Sequence, residues 1–269
     1  MPAPGAVSWD RLAPGWERGG ALLEEATRPI AEWLVDRLDP QPGDVVLDIA
    51  AGVGETGFLA AERLGADGIL IVGDSSPEML AAARRAGDVL GVANAQFRLL
   101  DVERLELEDA SVDGVLSRFG FILRGRGLAE VRRVLRPGGR LAFAVWAERE
   151  RNEWMTIPAD VMVERGHLPP PDETAITLSA RRERASIERL VHEAGFEAIE
   201  LEELPLAYRF ADAAELWLFV SELRGRVSLA LADLDESERA AVRAELERRA
   251  PRSGAGFELG GVGVCVCCS

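Results

Sequence analysis

The stretch VVLDIAAGVGETG, Val45 to Gly57, constrains this chain more than any other. Its apolar residues around Asp48 read as a buried strand, Ala50 to Gly54 as a tight turn that needs glycine, and Glu55 onward as helix. A second strand, GILIVGD, follows and ends in Asp74. A glycine turn between strand and helix, coupled to an acid at the end of the next strand, holds a nucleotide-like ligand at the edge of a parallel sheet. Gly52 and Gly54 let a ligand approach the backbone, and the N–H groups at the helix start can receive a polar or anionic group. An acid placed like Asp74 accepts from two adjacent ribose hydroxyls. Asp48 lies in an otherwise apolar strand end and needs backbone N–H or water partners. Shaping the turn and touching the ligand are both open to it.

The alternation continues. Helices are expected over Glu55–Leu64, Pro77–Ala86 (Ser76 as cap, Pro77 at its first position) and Leu128–Leu135, ended by RPGG. Strands are expected over Ile69–Val72, Ala95–Leu99, Val112–Leu116 and Arg140–Trp146. Strands and helices at this spacing form a parallel sheet covered by helices on both faces, the α/β class. Before it, residues 21–38 carry an apolar helical stripe through Leu22, Ala26, Ile30, Trp33, Leu34 and Leu38, with Pro29 kinking it or starting a second helix, and residues 9–20 read as a short helix and turn. After it come helices over Glu150–Glu164, Arg182–Ala194, Ala213–Arg224 and Glu236–Ala250, a loop at HLPPPDETAITL, and strands over Phe196–Leu204 and Phe257–Cys267. Disorder is expected only in the first dozen residues and near APRSGAG.

The chain has 269 residues and a formal charge of −15, with 46 acidic and 31 basic side chains, the basic ones all Arg. Such an excess of acid opposes non-specific attraction to nucleic acid or an anionic membrane. Arg181 to Arg189 is the densest basic stretch, and its acids make it read as a solvated helix face. With no run of 18 apolar residues and no secretory signal, a cytoplasmic protein without stable membrane insertion is expected. Cys265, Cys267 and Cys268 crowd the C-terminus, away in sequence from the histidines His167 and His192. A structural zinc site usually needs four ligands in separated pairs, so no metal site is assigned and GVGVCVCC reads as a strand of small apolar residues.

Four ordered motifs together resemble the class I S-adenosylmethionine-dependent methyltransferases, in the broad group of the ubiquinone/menaquinone-biosynthesis C-methyltransferases. They are Asp48-Ile49-Ala50-Ala51-Gly52-Val53-Gly54, Asp74-Ser75-Ser76-Pro77-Glu78-Met79-Leu80, Leu100-Asp101-Val102-Glu103-Arg104-Leu105, and VDGVLSRFGF with the later RRVLRPGGRLAFAVW. The match is strong over residues 40 to 147, and Ala50 stands where many members have Gly. The resemblance implies a Rossmann-like, seven-stranded, mostly parallel sheet whose last strand, near Val262 to Cys267, is antiparallel between the fifth and sixth. It implies one domain over 1–269: an N-terminal helical cap (1–38), a cofactor-binding core (40–147), and substrate-wall or lid helices with the final strands (148–269). S-adenosyl-L-methionine is the implied cofactor. Asp48, Ala50, Gly52 and Gly54 would shape the turn that holds its methionine part, Asp74 would take the ribose, Met79, Asp101 and Val102 the adenine, and Ser75 is assigned to the cofactor as well. Ser117 would line the methyl side. Arg118, Phe119, Trp146 and Trp154 are assigned to the substrate, with a carboxylate or substrate anion for Arg118 and either substrate contact or core packing for Trp154.

Methyl transfer needs alignment and exclusion of water more than covalent help, and a base only for an acceptor that is a poor nucleophile until deprotonated. His167, His192 and Tyr208 are the base candidates, and none is assigned. The expected reaction is methylation of a carbon, oxygen or nitrogen atom on a small molecule of apolar or aromatic character. Alternatives from other classes are a cofactor- or partner-binding protein without turnover and an NAD-dependent oxidoreductase. The latter is poorly met because Asp48 and Ala50 stand where a pyrophosphate prefers neutral glycines.

Overall fold

The computed structural model describes residues 8–120, 123, 126–171, 183–223 and 225–269. In chain order the elements are α1 (Trp9–Leu38), β1 (Val45–Ile49), α2 (Glu55–Leu64), β2 (Ile69–Asp74), α3 (Pro77–Leu90), β3 (Ala95–Leu99), β4 (Val112–Arg118), α4 (Gly127–Val134) and β5 (Leu135–Trp146). Then follow α5 (Glu153–Glu164), α6 (Arg184–Glu193), β6 (Glu200–Phe210), α7 (Ala213–Leu223), α8 (Arg226–Ala232), α9 (Glu236–Arg249), β7 (Arg252–Ser253) and β8 (Gly256–Cys268).

The strands lie in the order β3-β2-β1-β4-β5-β8-β6, with β7 paired to β8. β1 is parallel to β2 and β4, β2 to β3, and β4 to β5. β8 is antiparallel to β5, from Leu141 opposite Cys268 to Trp146 opposite Gly263. The terminal strand thus takes the inserted antiparallel place expected of it, and Cys265, Cys267 and Cys268 are buried in the sheet. Val46, Leu47, Val115, Leu116 and Leu141 to Ala144 are buried, which is why the inner strands read as continuous apolar runs. α2 packs on β1, β2 and β4, α3 on β2 and β3, and α4 on β5. Strand order reverses between β1 and its neighbours β2 and β4, so the carboxyl ends of these strands open the crevice where such sheets bind ligands.

The chain divides into two compact units: residues 27–146, 181–204 and 263–269 in one, and 1–26, 147–180 and 205–262 in the other. The first holds the parallel strands and the end of β8. The units part within α1, between Ala26 and Thr27, and after β5, between Trp146 and Ala147.

Several boundaries differ from the sequence reading. Residues 9–38 form one helix, uninterrupted by Pro14 or Pro29. Its buried face (Leu12, Ala13, Leu23, Ala26, Ile30, Leu34 and Leu38) outweighs the missing N–H groups, since tertiary burial supplies most helix stability. Gly19 permits close packing on α7, where a Cβ would come within 2.8 Å of Leu223 Cδ1. β5 begins at Leu135, opposite Val112, so RPGG is an irregularity within a strand rather than a break before one. β6 starts and ends later than expected: burial alternates through Leu201, then changes phase near Pro205 to Leu206, Tyr208 and Phe210. β6 lies at the sheet edge, where proline is tolerated. The APRSGAG segment is an ordered hairpin, with Arg252 opposite Phe257 and Ser253 opposite Gly256. α8 had no counterpart in the sequence reading. The expectations for the first seven residues, Arg182, Arg224 and most of HLPPPDETAITL lie outside the described residues. No described helix is long and apolar enough to cross a membrane.

Candidate functional site

The turn after β1 has three residues in the left-handed region, Ala50 at φ 55°, Gly52 at 58° and Gly54 at 90°. Glycine adopts this conformation at no steric cost, and Ala50 holds it at some expense. The turn is pinned from both sides: Ala51 N–H donates to Gly73 O at 3.0 Å and Gly54 N–H to Ala51 O at 2.9 Å. Gly54 caps α2 without a side chain. Asp48 stands in for the missing cap from β1, its Oδ2 accepting from Gly57 N–H at 2.9 Å. This answers how an acid survives at 1% exposure in an apolar strand end. Burial pushes its carboxyl up to about 7, against the pull of Arg118 and the Gly57 bond.

Asp74, the last residue of β2, ties the turn to the next helix. Its Oδ2 accepts from Gly52 N–H and its Oδ1 from Ser76 N–H, each at 2.9 Å. Ser76 caps α3 by accepting from Met79 N–H at 3.1 Å, with Pro77 following, as the sequence predicts. A carboxylate has about four lone-pair positions, and these two backbone N–H groups fix the orientation of both Asp74 oxygens. Leu100 N–H donates to Asp74 O at 2.9 Å, which brings the turn after β3 alongside. There Asp101 Oδ1 accepts from Glu103 N–H at 2.9 Å, and Asp101 is exposed.

From β4, Ser117 Oγ donates to Ile49 O at 3.0 Å. A Cβ on Gly120 would lie 2.6 Å from Ser117 Oγ and 2.8 Å from Ala50 Cβ, so the turn after β4 packs on the turn after β1. Phe119 sits at φ 61° and donates its N–H to Ala144 O at 2.8 Å. Its ring stacks on Trp146, with centroids 3.4 Å apart and planes 6° from parallel. Arg118 donates to the Thr27 hydroxyl of α1 and to the Glu55 carboxylate at the start of α2.

The crevice therefore gathers Ala50, Gly52, Gly54, Asp74, Ser75, Asp101, Val102, Arg118, Phe119 and Trp146 at the carboxyl ends of the strands. Of the remaining sequence candidates, Asp48, Ser117 and Met79 are 1%, 1% and 2% exposed, so they brace the site from beneath. Trp154 belongs to the other unit. It is buried beside Tyr208 and Phe219, and its indole N–H donates to Asn152 Oδ1 at 3.0 Å. Tyr208 is buried in the same cluster, His167 Nε2 lies 3.0 Å from Glu238 Oε2, and His192 is exposed on α6. The sequence reading missed Glu55 and Thr27. Glu55 could have been found as the acid in the first turn of α2, and Thr27 as a polar residue beside the apolar stripe of α1.

Fit to the implied cofactor is a matter of donor chemistry. An acid suited to a ribose diol, an exposed acid suited to an exocyclic amine and an open backbone turn occur in the order a nucleoside with an amino-acid tail requires. Among the described residues no group of three or more His, Cys, Asp or Glu could hold a metal ion.

Comparison with known proteins agrees. Residues 46–139 match the methyltransferase domain family. The chain is 33% identical over 163 residues to an arsenite methyltransferase of Halobacterium salinarum, covering 60% of this chain and 39% of that protein. It is 34% identical over 146 residues to a ubiquinone/menaquinone biosynthesis C-methyltransferase of a Caulobacter species, covering 49% and 56%. The matched part thus spans only about two fifths to half of these relatives' length. Among solved structures, the YcgJ protein of Bacillus subtilis superimposes with a TM-score of 0.57 at 16% identity, over 88% of this chain and 96% of that one. Residues 46–139 thus match a methyltransferase domain, and the chain resembles the class I S-adenosylmethionine-dependent methyltransferases of the ubiquinone/menaquinone group.

Proposed function

We propose that this chain, as a class I methyltransferase, moves the methyl group of S-adenosylmethionine onto a small-molecule acceptor, in the cytoplasm, by positioning and exclusion of water. The observation that carries the reading is Asp74, whose carboxylate at the end of β2 joins the Gly52 turn to the start of α3. In this reading Asp74 with Ser75 holds the ribose, Asp101 with Val102 the adenine, and the turn from Ala50 to Gly54 the methionine part. Asp48, Met79 and Ser117 hold those groups in place. When bound, the cofactor supplies an activated methyl group on a sulfonium, so the protein's part is to align the acceptor and keep water out.

The acceptor reading rests on the stacked pair of Phe119 and Trp146, both half-exposed beside the crevice. Their faces suit an apolar or aromatic molecule. Arg118 is engaged by Thr27 and Glu55, which favours a strut between α1 and α2 over an anchor for a substrate anion. Arsenite, the acceptor named for one relative, is less well supported. Trivalent arsenic seeks soft thiolates, whereas all three cysteines are buried along β8, and burial pushes the Cys265 and Cys268 thiols up to about 12.

The test is transfer of labelled methyl from S-adenosylmethionine to a panel of aromatic, prenyl-like, amine and arsenite acceptors. The reading expects label in an apolar or aromatic acceptor, with a raised KM for it in Trp146→Ala. Cofactor binding with no transfer to any class would favour a binding protein without turnover. Binding of NAD in its place would favour an oxidoreductase.

A further inference from the structure

We propose that Glu130 is a positioning residue of the site: from α4 it fixes the turn that carries Asp101, and through that carboxylate it sets affinity for the nucleoside. The inference rests on the cofactor reading above, in which Asp101 takes the adenine. β3 and β4 run in the same direction, since β3 is parallel to β2 and both β2 and β4 are parallel to β1. The chain must therefore cross back between them. A helix usually makes such a crossing and satisfies its own backbone groups. Among the described residues, 100–111 form neither helix nor strand beyond the isolated bridge of Asp101 with Arg104. The backbone there needs partners from elsewhere.

Asp101 to Arg104 make a turn, closed by Arg104 N–H donating to Asp101 O at 2.9 Å. It hangs between two buried residues, Leu100 and Leu105. One end is held by β2, where the Asp74 backbone O accepts from Leu100 N–H at 2.9 Å. The other end is held by α4, where the buried Glu130 accepts through Oε2 from Leu105 N–H at 2.9 Å. Arg133 orients that carboxylate from the next turn of the helix. Its Nη2 donates to Glu130 Oε2 and to Leu105 O, each at 2.8 Å. Its Nη1 donates to Leu107 O at 2.9 Å and to Asp109 Oδ1 at 2.7 Å, so the anchor is itself braced. Asp101 is exposed at the tip, and its bond to Glu103 N–H lies within the turn and moves with it. The place of its carboxylate is therefore set by the two ends. Removing Glu130 leaves a buried N–H without its acceptor, and the Leu105 end must move to find another.

Isothermal titration with S-adenosylhomocysteine, on full-length variants shown by thermal melts to be folded, tests this as a double-mutant cycle. Glu130→Ala should weaken binding about fivefold, and Glu130→Gln, which keeps an oxygen for Leu105 N–H, by less than about twofold. On an Asp101→Ala background, Glu130→Ala should cost less than about twofold more, because the carboxylate it positions is gone. A role confined to stability has no such dependence on Asp101. Wild-type affinity in Glu130→Ala, or the same loss on both backgrounds, would overturn the inference. A second measurement needs no variant. In the free wild-type chain, hydrogen exchange at the Leu105 amide should be slowed at least about a hundredfold, although it lies outside helix and strand. Exchange at the unstructured rate would overturn the inference. Failure of the cofactor reading looks different: the Leu105 amide is protected, yet Asp101→Ala alone binds as the wild type does, and the inference then falls with that reading.

Discussion

Replacing Asp48 by Asn removes from the folded chain a cost that grows with pH. The carboxyl is 1% exposed and its titration is raised from the ordinary 3.8 to about 7, first by burial and then by Asp74 and Glu55. Between those values the folded chain keeps a proton that the unfolded chain has lost. Unfolding then releases a proton, so each step up in pH favours the unfolded state. The penalty is absent below about pH 4, grows through the interval and is complete above about pH 7. Its size is on the order of 4 kcal/mol, from about 1.4 kcal/mol for each unit of difference. Asn cannot ionise, and its amide oxygen preserves the Gly57 bond. At pH 5, about 1.2 units above the ordinary value, removing the penalty should be worth about 1.7 kcal/mol to the variant. At pH 8 the variant should be more stable than the wild type by a few kcal/mol. Urea unfolding at both values, with the slope checked for constancy, measures this. A difference between the two proteins that does not change between pH 5 and pH 8 would refute the account of Asp48 as a carboxyl made costly by burial.

Other positions give independent checks. Phe119 pays a left-handed backbone cost of about 1 kcal/mol, so Phe119→Gly should be more stable than Phe119→Ala in urea unfolding, although both lose the Trp146 stack. The reverse order would mean that the backbone at 119 is not strained. In the native protein Cys265, Cys267 and Cys268 should resist a thiol-disulfide reagent at pH 8 and all react once unfolded, because burial raises each thiol. Rapid native reaction would contradict the burial of β8. A Cβ at position 256 would collide with Phe210 O, backbone that cannot rotate away. Gly256→Ala should therefore lose about 3 kcal/mol, read as a lower urea midpoint, and an unchanged midpoint would place β8 differently.

The crevice was largely legible because its parts are local. Val45 to Gly57 encodes strand, turn and helix in one run, and Ser76-Pro77 marks the start of α3 by cap chemistry that acts within three residues. The inserted place of β8 followed from family resemblance rather than from periodicity. What sequence periodicity missed depends on distant partners. α1 continues through Pro14 and Pro29 because of what its apolar face meets, and Gly15 and Gly19 gain their meaning from α7. β6 escaped correct bounds because its burial changes phase near Pro205. The pairing of Arg118 with Glu55 and Thr27 joins residues 63 and 91 positions apart, a separation that no local pattern announces.

The central claim is that Asp74 and Asp101, at the ends of β2 and β3, hold the nucleoside of S-adenosylmethionine. Its most direct test is isothermal titration of the wild type, Asp74→Ala and Asp101→Ala with S-adenosylmethionine, after thermal melts have established that each variant is folded. The account predicts micromolar-range binding to the wild type and at least tenfold weaker binding to Asp74→Ala, about the loss of one charge-assisted hydrogen-bond pair. It predicts a smaller loss for Asp101→Ala, whose carboxylate is exposed. Wild-type affinity in both folded variants would contradict it.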